Sequence, residues 1–149
     1  TGCIVNVKKG QFLAPSDVKG ILGKTAHYGA KEVWITERGT SFGYGRLVND
    51  FTGMYDLLSD LGTNFVYDIT HSVQRPGGNG TSSGGDRRYV PHLGRAGAAL
   101  GISSFFIEVH PDPDNAPSDG PNMLQLSEFE DTVKQIYHTY KTATNWHWL

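Results

Sequence analysis

Cysteine is the first scarcity in this chain of 149 residues: Cys3 stands alone. A single cysteine excludes an internal disulfide framework and a cysteine-rich zinc or iron–sulfur site. No apolar run approaches the ~20 residues of a membrane span, and no signal peptide is visible. Charge of one sign is lacking too, since 13 Lys+Arg face 15 Asp+Glu for a net −2. No broad basic surface follows, which argues against general nucleic-acid binding. Without a secretion signal, the Asn79-Gly80-Thr81 sequon reads as a chance match, and a cytoplasmic location is expected. An initial Met is also lacking. The chain opens on Thr1, runs at once into Cys3-Ile4-Val5, and stops at Asn145-Trp146-His147-Trp148-Leu149 without a turn signal. The expectation is a piece of a longer chain.

Glycine is abundant, with 19 residues against a usual share of roughly 7%. That predicts many loops and speaks against a helical bundle, while 38% hydrophobic residues suffice for a core. Four β-branched or aromatic runs, at 4–7, 32–36, 64–68 and 104–110, read as strands. Between and after them, apolar residues at helical spacing predict helices from Pro15, over 51–61, over 89–100 and from Ser127. Ser127 and Glu130 fit a capping box with Ser127 as N-cap. Residues 40–46 and 76–85 read as loops. The second has five glycines and no GK[ST], so it suits a lid better than a phosphate cradle. Strand starts lie ~30 residues apart, the size of one βα unit. The expected fold class is therefore α/β, a parallel sheet or barrel.

All four strands end in ionisable residues: Lys8-Lys9, Glu37-Arg38, Asp68 to His71, and Glu108 to His110. Parallel α/β folds build their sites at that edge. Side-chain alternation puts Phe106, Glu108 and His110 on one face, and lets Lys8, Arg38 and Glu108 all point into a barrel. Lys8 and Arg38 suit an anion, Arg38 through its bidentate fork. His71, Glu108, His110 and Asp119 form a nitrogen-and-oxygen metal set without HExxH or CxxC spacing. The bland alternatives are solvated strand ends, with Lys8-Lys9 a mere loop start, or a buried ion pair such as Arg38 with Asp68.

Six ordered stretches carry a resemblance. Asn6-Val7-Lys8-Lys9-Gly10-Gln11-Phe12, Thr36-Glu37-Arg38-Gly39-Thr40-Ser41-Phe42-Gly43-Tyr44 and Asp68-Ile69-Thr70-His71-Ser72-Val73-Gln74 are the first three. Ser82-Ser83-Gly84-Gly85, Glu108-Val109-His110-Pro111-Asp112-Pro113-Asp114-Asn115-Ala116 and Ser118-Asp119-Gly120-Pro121 follow. Together they resemble the 3-deoxy-D-manno-octulosonate 8-phosphate synthase family, over residues 2 to about 134.

The resemblance implies a (β/α)8 TIM barrel of which residues 1–149 are one partial domain, strands five to eight. It implies condensation of phosphoenolpyruvate with D-arabinose 5-phosphate and water, on the route to lipopolysaccharide, in a homotetramer. It places substrate binding on Lys8, Arg38 and His71, catalysis on His71 and Asp119, and a divalent transition metal (Fe, Mn, Zn or Co) on His71, Glu108 and Asp119. The glycine-rich stretch would close over this site. The segments 36–40 and 71–78 look like the metal-dependent branch, whose further cysteine ligand lies on the first barrel strand and is not Cys3. The Asn-rich pair of the family is replaced by Gly45-Arg46. With half the barrel absent, the chain alone is expected to be inactive. Two alternatives remain: the sister 3-deoxy-D-arabino-heptulosonate 7-phosphate chemistry, or a non-catalytic half-barrel that binds an anion or assembles with a partner.

Overall fold

Strand β1 (Ile4–Lys8) opens the fold, and helix α1 (Val18–His27) follows after a single 3-10 turn at Pro15–Asp17. The computed structural model describes residues 2–62, 64–78 and 84–145. Next come β2 (Glu32–Glu37), the short strands β3 (Thr40–Ser41) and β4 (Leu47–Val48), and helix α2 (Phe51–Asp60). Strand β5 (Asn64–Asp68) leads through a 3-10 turn, His71–Val73, into β6 (Gln74–Arg75) and β7 (Gly84–Gly85). Helix α3 (Val90–Ala99), β8 (Phe105–Phe106), β9 (Val109–His110), β10 (Leu124–Gln125) and helix α4 (Leu126–Thr144) complete the chain.

The main sheet has the order β1-β2-β5-β8, every pair parallel. Each new strand joins on the same side as the last, with a helix crossing between. A doubly wound sheet would reverse direction at a switch point. This sheet never does, so it is four βα units of the kind that make half of a (β/α)8 barrel. Among the described residues, neither β1 nor β8 has a partner on its outer side.

Alternation divides the sheet into two faces. Ile35, Phe65, Tyr67 and Ile69 join Val18, Met54, Leu57, Val90 and Ile136 in the core under the helices. The opposite face carries polar groups. The Thr36 hydroxyl donates to Asn6 Oδ1 at 2.6 Å, and Lys8 reaches Asp68. Helix α3 turns Gly97 toward the sheet and Gly94 toward Ile136 of α4. A Cβ on Gly97 would stand 2.7 Å from Tyr67 Cδ1 and 3.1 Å from Phe105. Gly97→Ala is therefore expected to destabilise the fold despite alanine's better helix propensity, by about 1–3 kcal/mol of overpacking. Urea unfolding measures it, and a gain in stability would refute the close approach.

Helix and strand positions match the sequence expectation to within a few residues, with four corrections. The run 104–110 is not one strand. Only Phe105–Phe106 joins the main sheet; Ile107 and Glu108 leave it, and Val109–His110 pairs parallel with Leu124–Gln125. Thr70 captures the departing chain, its hydroxyl accepting from the Glu108 N–H at 2.8 Å, while Glu108 O accepts from Leu124 N at 3.0 Å. Ser127 is not an N-cap, because α4 starts directly from β10 with Gln125 in that place and no side-chain cap. The stretch 40–46 is bounded by an antiparallel hairpin, β3 on β4. The glycine-rich stretch is partly strand, since Gly84–Gly85 pairs with Gln74–Arg75. A Cβ on Gly85 would overlap the buried Asn122 side chain, which favours glycine there. The remainder of that expected lid, 79–83 with the sequon, and the terminal 146–149 lie outside the described residues.

Candidate active site at the strand ends

Asp68, at the end of β5 and fully buried, organises the site. Its Oδ1 accepts the backbone N–H groups of Thr70 (3.1 Å) and His71 (2.8 Å), which folds the chain into the turn that presents the imidazole. Its Oδ2 accepts from Lys8 Nζ at 2.7 Å and lies 2.7 Å from His71 Nδ1. Burial opposes ionisation of this carboxyl. The hydrogen bonds from the His71 ring and backbone and from the Lys8 ammonium outweigh it and hold the group below the usual carboxylate range.

The 2.7 Å contact fixes the imidazole tautomer. The Nδ1 proton belongs on the Asp68 side, because a carboxylate can only accept. Nε2 then presents its lone pair to the opposite side, where Glu108 Oε1 lies at 3.6 Å and Asp119 Oδ2 at 3.9 Å. Ligand atoms of His71, Glu108 and Asp119 all lie within 4.8 Å of one another. One imidazole and two carboxylates suit a divalent transition metal, and Asp68 behind the imidazole is the outer carboxylate that metal-bound histidines usually have. His110 does not join them: the chain has left the sheet, and its Nδ1 accepts from the Asp112 N–H at 3.1 Å.

Asp119 reaches the cluster from a loop. It has φ +51°, a left-handed backbone uncommon for a non-glycine residue. Arg87 ties the loop down. Its guanidinium donates to Asp114 Oδ1 at 2.6 Å and to Gly120 O at 2.9 Å, and its N–H donates to Pro121 O at 2.9 Å.

Lys8 lies 4.0 Å above the Phe106 ring, a cation–π contact beside the imidazole. Arg38 does not pair with Asp68, whose acceptors are already taken. Its guanidinium instead donates to Gln74 Oε1, and Gln74 Nε2 donates to Asp119 Oδ1 at 2.8 Å. Among the described residues Arg38 makes no ion pair. The reading of Lys8-Lys9 as a solvated loop start fails at Lys9, which is 1% exposed. Lys9 Nζ lies 3.4 Å from Glu37 Oε2 and donates to the carbonyls of Gly10 and Leu13. Glu37 Oε1 in turn accepts the N–H groups of Arg38 (2.9 Å) and Gly39 (2.7 Å), so the buried pair sets the backbone that carries Arg38.

Sequence reasoning missed Lys9, Thr70, Gln74 and Arg87 as parts of this arrangement. Nothing local marks Gln74, whose partners Arg38 and Asp119 come from other loops.

A singly wound parallel sheet with cations, an imidazole and carboxylates gathered at its strand C-termini defines the class of (β/α)8 proteins that build their sites at that edge. The DAHP synthetase I family profile matches residues 1–144, and the chain belongs to that family. It is 56% identical over 136 residues to the 2-dehydro-3-deoxyphosphooctonate aldolase of Rhodopseudomonas palustris, covering 91% of this chain and 47% of that protein. The protein of the same name from Nitrobacter hamburgensis is 55% identical, with the same coverage. The one from Granulibacter bethesdensis is 53% identical, with 91% of this chain and 48% of the relative covered. The chain spans about half the length of the curated relatives it matches. No described helix is long and apolar enough to cross a membrane.

Proposed function

We propose that residues 1–149 are the last four βα units of a 3-deoxy-8-phosphooctulonate synthase. The reaction joins phosphoenolpyruvate to D-arabinose 5-phosphate: C3 of the enol attacks the aldehyde carbon, water adds at C2, and the hemiketal phosphate breaks its C–O bond to release phosphate. The observation that carries the reading is the convergence of Lys8 and Arg38 with the His71, Glu108 and Asp119 cluster at one end of the sheet. The names of the curated relatives point the same way.

In this reading Arg38 and Lys8 grip the phosphate and carboxylate of phosphoenolpyruvate. Arg38 supplies fork geometry, and Lys8 a point charge beside the reacting centre. His71, Glu108 and Asp119 would hold a divalent transition metal (Fe, Mn, Zn or Co), which when bound supplies Lewis acidity and orients the aldehyde or water oxygen. His71 faces the reacting centre with Nε2, kept in its tautomer by Asp68. Asp119 brings a carboxylate for moving a proton. Residues for arabinose 5-phosphate come mostly from the other half of the barrel, in a cytoplasmic homotetramer.

A second reading, condensation with erythrose 4-phosphate, is favoured by the description of the matching family. Assaying the complete barrel with both aldose phosphates separates the two, and turnover confined to erythrose 4-phosphate would overturn ours. In the same assay Arg38→Ala is expected to raise the KM for phosphoenolpyruvate and lower kcat, from loss of a charge-assisted contact of about 1.5–3 kcal/mol. Arg38→Lys should restore only part. Unchanged kinetics in Arg38→Ala would remove the arginine from the site.

A further inference from the structure

We infer that Gln74 is a neutral spacer that keeps Arg38 and Asp119 from neutralising each other, leaving the cation free for a phosphate and the carboxylate free for a metal. The inference rests on the reading of Arg38 as an anion grip and of Asp119 as a metal ligand. The amide lies between the two, its Oε1 on the Arg38 guanidinium and its Nε2 2.8 Å from Asp119 Oδ1. It cannot be turned over. A guanidinium only donates and a carboxylate only accepts, so the oxygen must face Arg38 and the nitrogen Asp119. Nor can it swing away: Gln74 is 7% exposed, follows the His71–Val73 turn, and has its backbone paired with Gly85, which is itself pressed against Asn122.

The consequence is electrostatic. Among the described residues Arg38 has no carboxylate partner, although Asp119 stands one side chain away. A direct contact would be a short, partly buried ion pair, and such a pair satisfies itself at the expense of ligands. The amide occupies one donor of Arg38 and one oxygen of Asp119 without adding charge. The remaining guanidinium N–H groups stay available to an anion, and Asp119 Oδ2 stays turned toward His71 Nε2. Gln74 is thus a positioning residue: it acts through Arg38 and Asp119 and need not touch substrate.

Two substitutions separate this role from plain packing. In Gln74→Met the spacer keeps its length but loses both hydrogen bonds, so Arg38 and Asp119 pair and both ligand sites weaken. In Gln74→Glu the new carboxylate takes Arg38 for itself, which weakens the anion site while leaving His71, Glu108 and Asp119 attractive to a cation. The experiment is calorimetric titration of the complete barrel, residues 1–149 joined to the first four βα units of the Rhodopseudomonas palustris relative, and of both variants in it, with inorganic phosphate and, separately, with Co2+, alongside urea unfolding. Gln74→Glu is expected to lose phosphate affinity by about tenfold or more while keeping Co2+ affinity within about threefold, and Gln74→Met to lose about tenfold for each. Unchanged affinities in both variants would overturn the spacer. So would equal losses of both ligands in both variants with a lowered unfolding midpoint, since that is the mark of a structural residue. Failure of the unsubstituted barrel to bind either probe would instead sink the site reading on which the spacer depends, and the spacer with it.

Discussion

Lys9→Met is expected to destabilise the fold by about 3–5 kcal/mol, the cost of leaving one member of a buried ion pair without the other. Lys9 and Glu37 are 1% and 5% exposed, so water cannot compensate the Glu37 carboxylate. The methionine restores the bulk of the stem but none of the donors to Gly10 O, Leu13 O and Glu37. The damage does not stop at stability. Glu37 fixes the N–H groups of Arg38 and Gly39, so an uncompensated Glu37 displaces the backbone that carries Arg38. The double variant Lys9→Met, Glu37→Leu removes the stranded charge and should recover much of the stability but not the placement of Arg38. Urea unfolding of the three variants measures this. A single-variant loss under about 1 kcal/mol would show that the pair is not structural.

Asp68→Asn is expected to weaken metal binding about 10- to 100-fold, the usual effect of removing the partner behind a metal-bound histidine. The substitution preserves shape but cannot preserve all four contacts. An amide nitrogen placed at Oδ2 would face the Lys8 ammonium and the Nδ1–H of His71, donor against donor. The imidazole relieves this by moving its proton to Nε2, which then points a hydrogen at Glu108 and Asp119 where a ligand lone pair is needed. Turning the amide over instead sets its nitrogen against the N–H groups of Thr70 and His71 and unseats the turn. His71→Ala should remove metal binding altogether. Competition with a chelator during Co2+ titration follows both. Wild-type affinity in Asp68→Asn would refute the tautomer assignment, and wild-type affinity in His71→Ala would refute the cluster itself.

What the sequence revealed follows from which interactions are local. The βα order was legible because apolar periodicity and turn residues are written within each unit. The convergence of Lys8, His71 and Glu108 was legible because parallel strands bring their C-terminal ends to one edge. The fourth strand misled because alternation assumes a continuous strand. The capture of the Glu108 N–H by Thr70, 38 residues earlier, breaks it and carries His110 away. Lys9 and Lys8 are adjacent and chemically identical in sequence, yet one is buried against Glu37 and the other pairs with Asp68 and leans over Phe106, a distinction made by partners from β2, β5 and β8. Gln74 was unreadable for a similar reason. An amide between two charges acquires meaning only when Arg38 and Asp119, from different loops, arrive on either side of it. The proposal of particular substrates rests on the resemblance, because local physics does not reach them.

We propose that these residues form the phosphoenolpyruvate and metal side of a condensing synthase. The direct test joins residues 1–149 to the first four βα units of the Rhodopseudomonas palustris relative and follows phosphate release by 31P NMR. Phosphate release is expected only when phosphoenolpyruvate and arabinose 5-phosphate are both present, and is expected to vanish in the His71→Ala form of the same barrel. A folded chimaera that releases no phosphate under conditions where the intact relative does, or one whose release survives His71→Ala, would show that these residues do not form that site.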